Sequence, residues 1–228
     1  DSSEEKFVSH DDLELNHPEF YFSEILGSWV VCLGNATQWI NEPYSFLFHY
    51  TRSHFGPWPG QTVSNFVNSL IKKDTGSAHT AFDTLHRIAI EGKIRASGSL
   101  IRGKYPVVSF TEVPPKHLEN IRKWRRGFSR WSFEPYAIVF RKQSLEEIGA
   151  KKVIYGTSNE FYQLPQEEKH LFQVRQTQDV VWSIEKEWRM KGDVEIRRFS
   201  SPEYAFMLPT KNEADIFVNL LRKQGKCL

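Results

Sequence analysis

The sequence predicts a single α+β domain, and three observations carry that reading. Apolar residues at helical spacing dominate the first part of the chain, as in Val63, Phe66, Val67, Leu70 and Ile71. Short apolar runs follow, such as Val-Val-Ser-Phe at 107–110, Ala-Ile-Val-Phe at 137–140 and Tyr-Ala-Phe-Met-Leu at 204–208. Helices first and strands later favour α+β over a doubly wound α/β sheet. Third, 39% hydrophobic and 25% charged residues are the composition of a packed protein, and 228 residues suffice for one sizeable core.

Taken in order, residues 1–18 read as an acidic N-terminal arm and 19–228 as the domain. Glu19 to Cys32 mixes aromatic and aliphatic residues at roughly helical spacing, which predicts a helix. Pro43 marks a turn, and Tyr44 to Tyr50 is a short aromatic-rich strand that delivers His49, Tyr50 and Thr51 to its end. Gly56-Pro57-Trp58-Pro59-Gly60 is a loop, because proline and glycine interrupt both regular structures. Helices are expected over Thr62 to Lys73 and over His79 to Glu91, the second stopped by Gly92, with an extended piece from Lys93. Strands are expected at Pro106 to Phe110, Ala137 to Phe140, Val153 to Gly156, Val180 to Met190 and Tyr204 to Leu208, before a last helix from Glu213 to Lys223.

Composition narrows the function classes. No apolar run approaches the ~20 residues that cross a bilayer, and the start lacks the basic-then-apolar pattern of a secretory signal, so a cytoplasmic protein away from membranes is expected. Cys32 and Cys227 form neither a disulfide framework nor a metal-ligand spacing, and two free thiols and no metal are expected. A net charge of +2 does not announce a nucleic-acid binder. Locally the balance differs: Arg122, Lys123, Arg125, Arg126 and Arg130 interleave with Trp124, Phe128 and Trp131. Cations among rings suit a single-stranded DNA or RNA groove, where phosphates meet charge and bases stack. The same spacing also suits a solvated helix face whose tryptophans pack inward. Glycine-rich phosphate loops, the Gly-x-Ser-x-Gly elbow and His-Glu-x-x-His are absent.

Several segments stand out when taken together: Phe-His-Tyr-Thr at 48–51, Ile-Glu-Gly-Lys-Ile at 90–94 and Pro-Val-Val-Ser-Phe-Thr-Glu-Val-Pro at 106–114. Downstream come Pro-Tyr-Ala-Ile-Val-Phe at 135–140, Ala-Lys-Lys-Val-Ile-Tyr at 150–155 and Glu-Lys-Glu-Trp-Arg at 185–189. In this order they resemble the bacterial abortive-infection (AbiGi-like) families, which look like distant members of the ADP-ribosyltransferase superfamily; the DarT-like DNA-modifying toxins share the His-x-Thr. The resemblance spans roughly 46–190. It implies small mixed or antiparallel sheets in a split β-sandwich with flanking helices, with NAD bound between them. It further implies transfer of ADP-ribose to a macromolecule, in a toxin or phage-defence effector that an antitoxin or defence-system protein could accompany.

Cleavage of NAD at the nicotinamide bond passes through an oxocarbenium-like ribose, which a fixed carboxylate stabilises. The resemblance gives that role to Glu187, and Glu185, on the same face of an extended segment, would orient or deprotonate the acceptor. His49 with Thr51, and Ser109 with Thr111, would hold ribose hydroxyls and the nicotinamide amide, with Tyr50 beside them. Arg52, Arg95 or Arg102 would neutralise the pyrophosphate. Plainer roles remain open: a structural histidine at a strand end, ordinary strand hydroxyls, and a solvated Glu-x-Glu face with Arg189 pairing a carboxylate. Two further readings also stay open. One is a nucleic-acid-binding module without turnover; the other is a partner-binding component docking through residues 1–17 and 20–58.

Overall fold

The structure is a computed structural model that describes residues 19–32, 45–74, 76–128, 130–175, 185–200 and 203–224. The acidic arm, Cys227 and the part of the expected 180–190 strand before residue 185 lie outside them. The strands are β1 Glu19–Ser23, β2 Ser28–Cys32, β3 Phe46–Tyr50, β4 Lys93–Ile94, β5 Val107–Thr111, β6 Trp124–Arg125 and β7 Arg130–Trp131. They continue with β8 Ala137–Arg141, β9 Lys151–Lys152, β10 Ile154–Gly156, β11 Phe172–Val174, β12 Glu187–Lys191, β13 Val194–Glu195 and β14 Tyr204–Leu208. The helices are α1 Val63–Lys72, α2 Ala81–Glu91, α3 Lys142–Glu147, α4 Glu160–Gln163 and α5 Lys211–Lys223.

Eight strands form one sheet in the order β1-β2-β14-β8-β3-β5-β12-β9, with every neighbouring pair antiparallel. The remaining strands pair as two-stranded ribbons, β10 with β11 in parallel and β4 with β13 and β6 with β7 antiparallel. The domain is therefore α+β with a mostly antiparallel sheet, and most strands join one ladder rather than several small sheets. That ladder is weakest at its centre: β3 and β5 share one register pair, Phe48 with Thr111.

The first expected helix is a hairpin instead. Phe20, Tyr21 and Phe22 oppose Val31, Val30 and Trp29, and bulky aromatic and β-branched residues suit a pleated, half-buried surface. Gly27 closes the turn at φ +67, where a Cβ would also stand 2.8 Å from that of Lys116.

Strand alternation divides the core into two layers. On one face Leu47, Val108, Phe110, Ile138, Phe140, Trp188, Phe206 and Leu208 pack against Leu85, Ile88 and Ala89 of α2 and Ala214, Phe217, Val218 and Leu221 of α5. Phe48, Tyr50, Val139 and Met207 point the other way, toward Leu118, Ile121 and Phe133 of the 112–136 connection. Both covering helices are set by their ends. Thr80 and Asp83 form a reciprocal capping box on α2, Gly92 closes it at φ +66, and Thr210 caps α5 by accepting from the Glu213 N–H.

Helix α1 forms where the spacing predicts it, capped by Thr62, yet none of its residues is buried. Val63, Val67, Leu70 and Ile71 are exposed. No helix among the described residues is long and apolar enough to cross a membrane.

Phe206, fully buried, touches Tyr204 and Phe217 edge-on or tilted and so links the sheet to α5. Phe206→Ala is expected to cost about 3–5 kcal/mol by denaturant unfolding, and Ile71→Ala on the exposed helix within about 0.5. Equal losses at the two positions would contradict this placement of the core.

Candidate active site

Glu187 opens β12, opposite Thr111 of β5, and Arg189 stands opposite Ser109. All four side chains leave the sheet on the face away from α2 and α5, because they alternate with Trp188, Phe110 and Val108. Ser109 Oγ donates to Glu187 Oε1 at 3.0 Å. Arg189 grips the same carboxylate with Nε to Oε1 at 2.9 Å and Nη2 to Oε2 at 3.3 Å. It is 1% exposed, and its remaining N–H groups reach the carbonyls of His170 and Phe172 and the Gln173 side chain. Glu187 is thus a fixed anion that keeps 13% of its side-chain surface open. The pairing of Arg189 with a carboxylate belongs to the plainer account of the sequence, but the solvated face of that account is not found.

Glu185 is not on the strand. Lys186 between the two glutamates takes φ +43, so Glu185 precedes β12 across a turn, and the expected alternation on one strand face does not apply. Its backbone carbonyl instead accepts from Thr111 Oγ1. Its buried carboxyl is raised to about 7 by loss of hydration and then by the charge of Glu187, with Arg125, Arg52 and Lys123 pulling the other way. The two carboxyls therefore interact, and their surroundings differ: Glu187 is paired with Arg189, while Glu185 is close to half-protonated at neutral pH.

His49 leaves β3 toward the helix-covered face, where its ring meets Phe110 edge-on at 5.8 Å. Nδ1 lies 2.9 Å from the Ser109 carbonyl. A carbonyl only accepts, so Nδ1 carries the hydrogen of a neutral ring, and desolvation lowers its pKa to about 4. This side-chain bond sits where β3 and β5 splay. His49 and Glu187 are joined through Ser109, by its carbonyl and by its hydroxyl, rather than by direct contact.

The other expected ligand residues divide. Tyr50 turns into the second core layer and its phenol donates to Val113 O at 2.9 Å, so that hydroxyl is spent on the fold. Thr51, 2% exposed, donates to Ala81 O at 2.7 Å and ties the end of β3 to α2. Thr111 is likewise committed to Glu185. Of the three arginines considered for the pyrophosphate, Arg95 pairs with Glu91 at 3.0 Å and Arg102 lies over the Phe161 ring. Arg52, over Phe133, is the one whose charge reaches Glu185. Among the described residues no three His, Cys, Asp or Glu side chains gather as a metal-binding group.

The basic segment is a hairpin, not a helix. Trp124 opposes Trp131 and Arg125 opposes Arg130 across β6 and β7. The tryptophans do not pack inward: they are 50% and 39% exposed.

Two site residues escaped selection from the sequence although both lie inside the motifs that carry the resemblance. Arg189 is one. Tyr155 is the other: its hydroxyl is shielded from water beside the Glu187 backbone and closes no hydrogen bond there, and burial together with the charges of Glu187 and Glu185 raises its pKa. A phenol so placed is a donor in want of an acceptor. Only the glutamates' arrival beside Ile154–Gly156 reveals it.

Arg189→Met should destabilise by about 3–5 kcal/mol, since it strands a buried carboxylate and two carbonyls, and adding Glu187→Gln should recover part of the loss in a double-mutant cycle. Additive costs would mean the pair is not coupled. Because folding raises the Glu185 pKa from 4.5 to about 7, the folded state binds the extra proton, so stability falls as pH climbs through that window. Glu185→Gln should therefore raise stability by up to about 3 kcal/mol above about pH 8 and leave it little changed below about pH 4.5, read from paired denaturation curves. A pH-independent difference would show that Glu185 titrates normally. No protein-family model, no curated protein and no solved structure matches the chain, so the chemistry of the site rests on its own geometry.

Proposed function

We propose that the chain is an NAD-dependent ADP-ribosyltransferase of the ADP-ribosyltransferase fold type, acting on a macromolecular acceptor. The observation that carries this reading is the immobilised Glu187 anion, held by Ser109 and Arg189, with the protonatable Glu185 beside it. Glycosyl transfer needs that inequality, one carboxyl to face developing positive charge and another to exchange a proton.

The C1′–N bond of NAD breaks and its electron pair departs with neutral nicotinamide. Positive charge grows on the ribose, where Glu187, already oriented, stabilises it more than the ground state. An acceptor oxygen or nitrogen bonds to C1′ and passes its proton to ionised Glu185. In this reading Arg52, whose charge reaches Glu185, would neutralise the pyrophosphate, and the Tyr155 hydroxyl would donate to the dinucleotide. Neutral His49 fills the gap between β3 and β5 on the opposite face of the sheet, so its link to Glu187 runs through Ser109. The sequence resemblance to abortive-infection families adds the biological setting, a toxin or phage-defence effector.

Nicotinamide release from NAD, measured with DNA, RNA or cell lysate present, is expected to fall by about a hundredfold or more in Glu187→Gln. The rate should rise with pH to a plateau through about pH 7 as Glu185 loses its proton, and Glu185→Gln should flatten that profile. Wild-type protein that releases no nicotinamide in any mixture would refute the assignment.

A further inference from the structure

We infer that the β6–β7 hairpin is a docking surface for single-stranded nucleic acid, one that delivers an unpaired base to the edge of the Glu185–Glu187 site. The hairpin and its approach place Arg122, Lys123, Arg125 and Arg126 along one short stretch. Trp124 and Trp131 meet edge to face at 5.5 Å and remain 50% and 39% exposed, and Arg122 lies over the Trp131 ring at 4.2 Å. Arg125 and Lys123, with Arg52 from the end of β3, act electrostatically on Glu185. Contacts link the base of the hairpin to Glu185 as well: Phe133, two residues past β7, lies 5.7 Å from the Tyr50 ring, whose hydroxyl donates to Val113 O, and Thr111, two residues before Val113, donates to the Glu185 carbonyl.

The combination selects the ligand class. A polyanion satisfies the cations, and unstacked bases satisfy the two exposed indoles; a duplex hides its base faces and uses only the charge. An acidic peptide meets the cations but leaves the rings in water. Such a surface also needs an anchor, and it has one: Lys123 and Ser132 exchange two hydrogen bonds, Lys123 N to Ser132 Oγ at 2.9 Å and Ser132 N to Lys123 O at 2.8 Å. They pin the base of the hairpin, while Ile121 and Phe133 on either side are buried in the second core layer. That the docked strand is the ADP-ribose acceptor rests on the transferase reading; that it docks does not.

The test is fluorescence anisotropy of labelled oligo-dT and oligo-rU of about twelve nucleotides, a length within the usual single-strand site size, without NAD. Both single strands are expected to bind, more tightly than a duplex of equal length, with affinity falling steeply as salt is raised. Trp124→Ala and Trp131→Ala should each weaken binding about tenfold or more, and Arg126→Glu, at an exposed position, provides a second variant expected to weaken it with unchanged melting temperature. No binding at low salt, equal binding of duplex, displacement by poly-glutamate as readily as by oligonucleotide, or indifference to all three substitutions would overturn the inference. Oligonucleotide binding without nicotinamide release would uphold the surface and sink the transferase. Transfer of label from NAD to lysate protein without oligonucleotide binding would do the reverse.

Discussion

A guanidinium with almost no solvent contact must find an acceptor for each N–H, and Arg189 finds them in Glu187, Gln173 and the carbonyls of His170 and Phe172. That requirement fastens the 170–173 segment to β12 and orients the carboxylate in one act. Strand β11 then carries β10 alongside, and with it Tyr155. Much of the site is thus a consequence of burying one charge with its partners. A buried pair of this kind contributes little net stability against an apolar substitute but strongly penalises any arrangement that leaves one member alone. It fixes geometry more than it adds free energy.

The second constraint is the break between β3 and β5. Continuous antiparallel ladders on either side supply rigidity, and the single shared register pair leaves room for a side chain between the strands. His49 fills it and remains uncharged, which suits a position where an imidazolium would be both desolvated and close to Arg52. On the helix-covered face the same region is tied by Glu112, which accepts from Lys142 Nζ at 2.9 Å and Trp188 Nε1 at 3.0 Å. The carboxyls on the two sides of the sheet have opposite characters. Burial acts to raise Glu112, but the Lys142 and Trp188 bonds outweigh it and lower its pKa, whereas Glu185 lacks such compensation and stays raised.

Local signals were legible where they were self-contained. The stop at Gly92 and the apolar runs of β5, β8 and β14 sit where their residues imply, because capping and alternation are satisfied within a few residues. Helical periodicity misled once and was incomplete once. In 20–31 it was outweighed by the preference of aromatic and β-branched residues for a pleated surface, and in α1 it identified a helix without identifying anything to cover it. The interleaved tryptophans of 124–131 read equally well as a buried helix face; only the hairpin pairing shows them exposed.

The sequence alone determined the α+β class, the positions of β3, β5, β8, β10, β12 and β14 and of three helices, and the residues worth watching at 49, 109, 185 and 187. Those properties depend on side-chain chemistry and near neighbours in the chain. Tertiary structure decided the rest: that Ser109 donates to Glu187, that Arg189 closes on the same carboxylate, that Tyr50 and Thr51 are spent on the fold, and that the tryptophans of the basic hairpin are exposed. Contacts between residues seventy or more positions apart are set by sheet order and register, and a pKa depends on how much water and charge surround a group. Neither quantity is written in any local stretch of the chain.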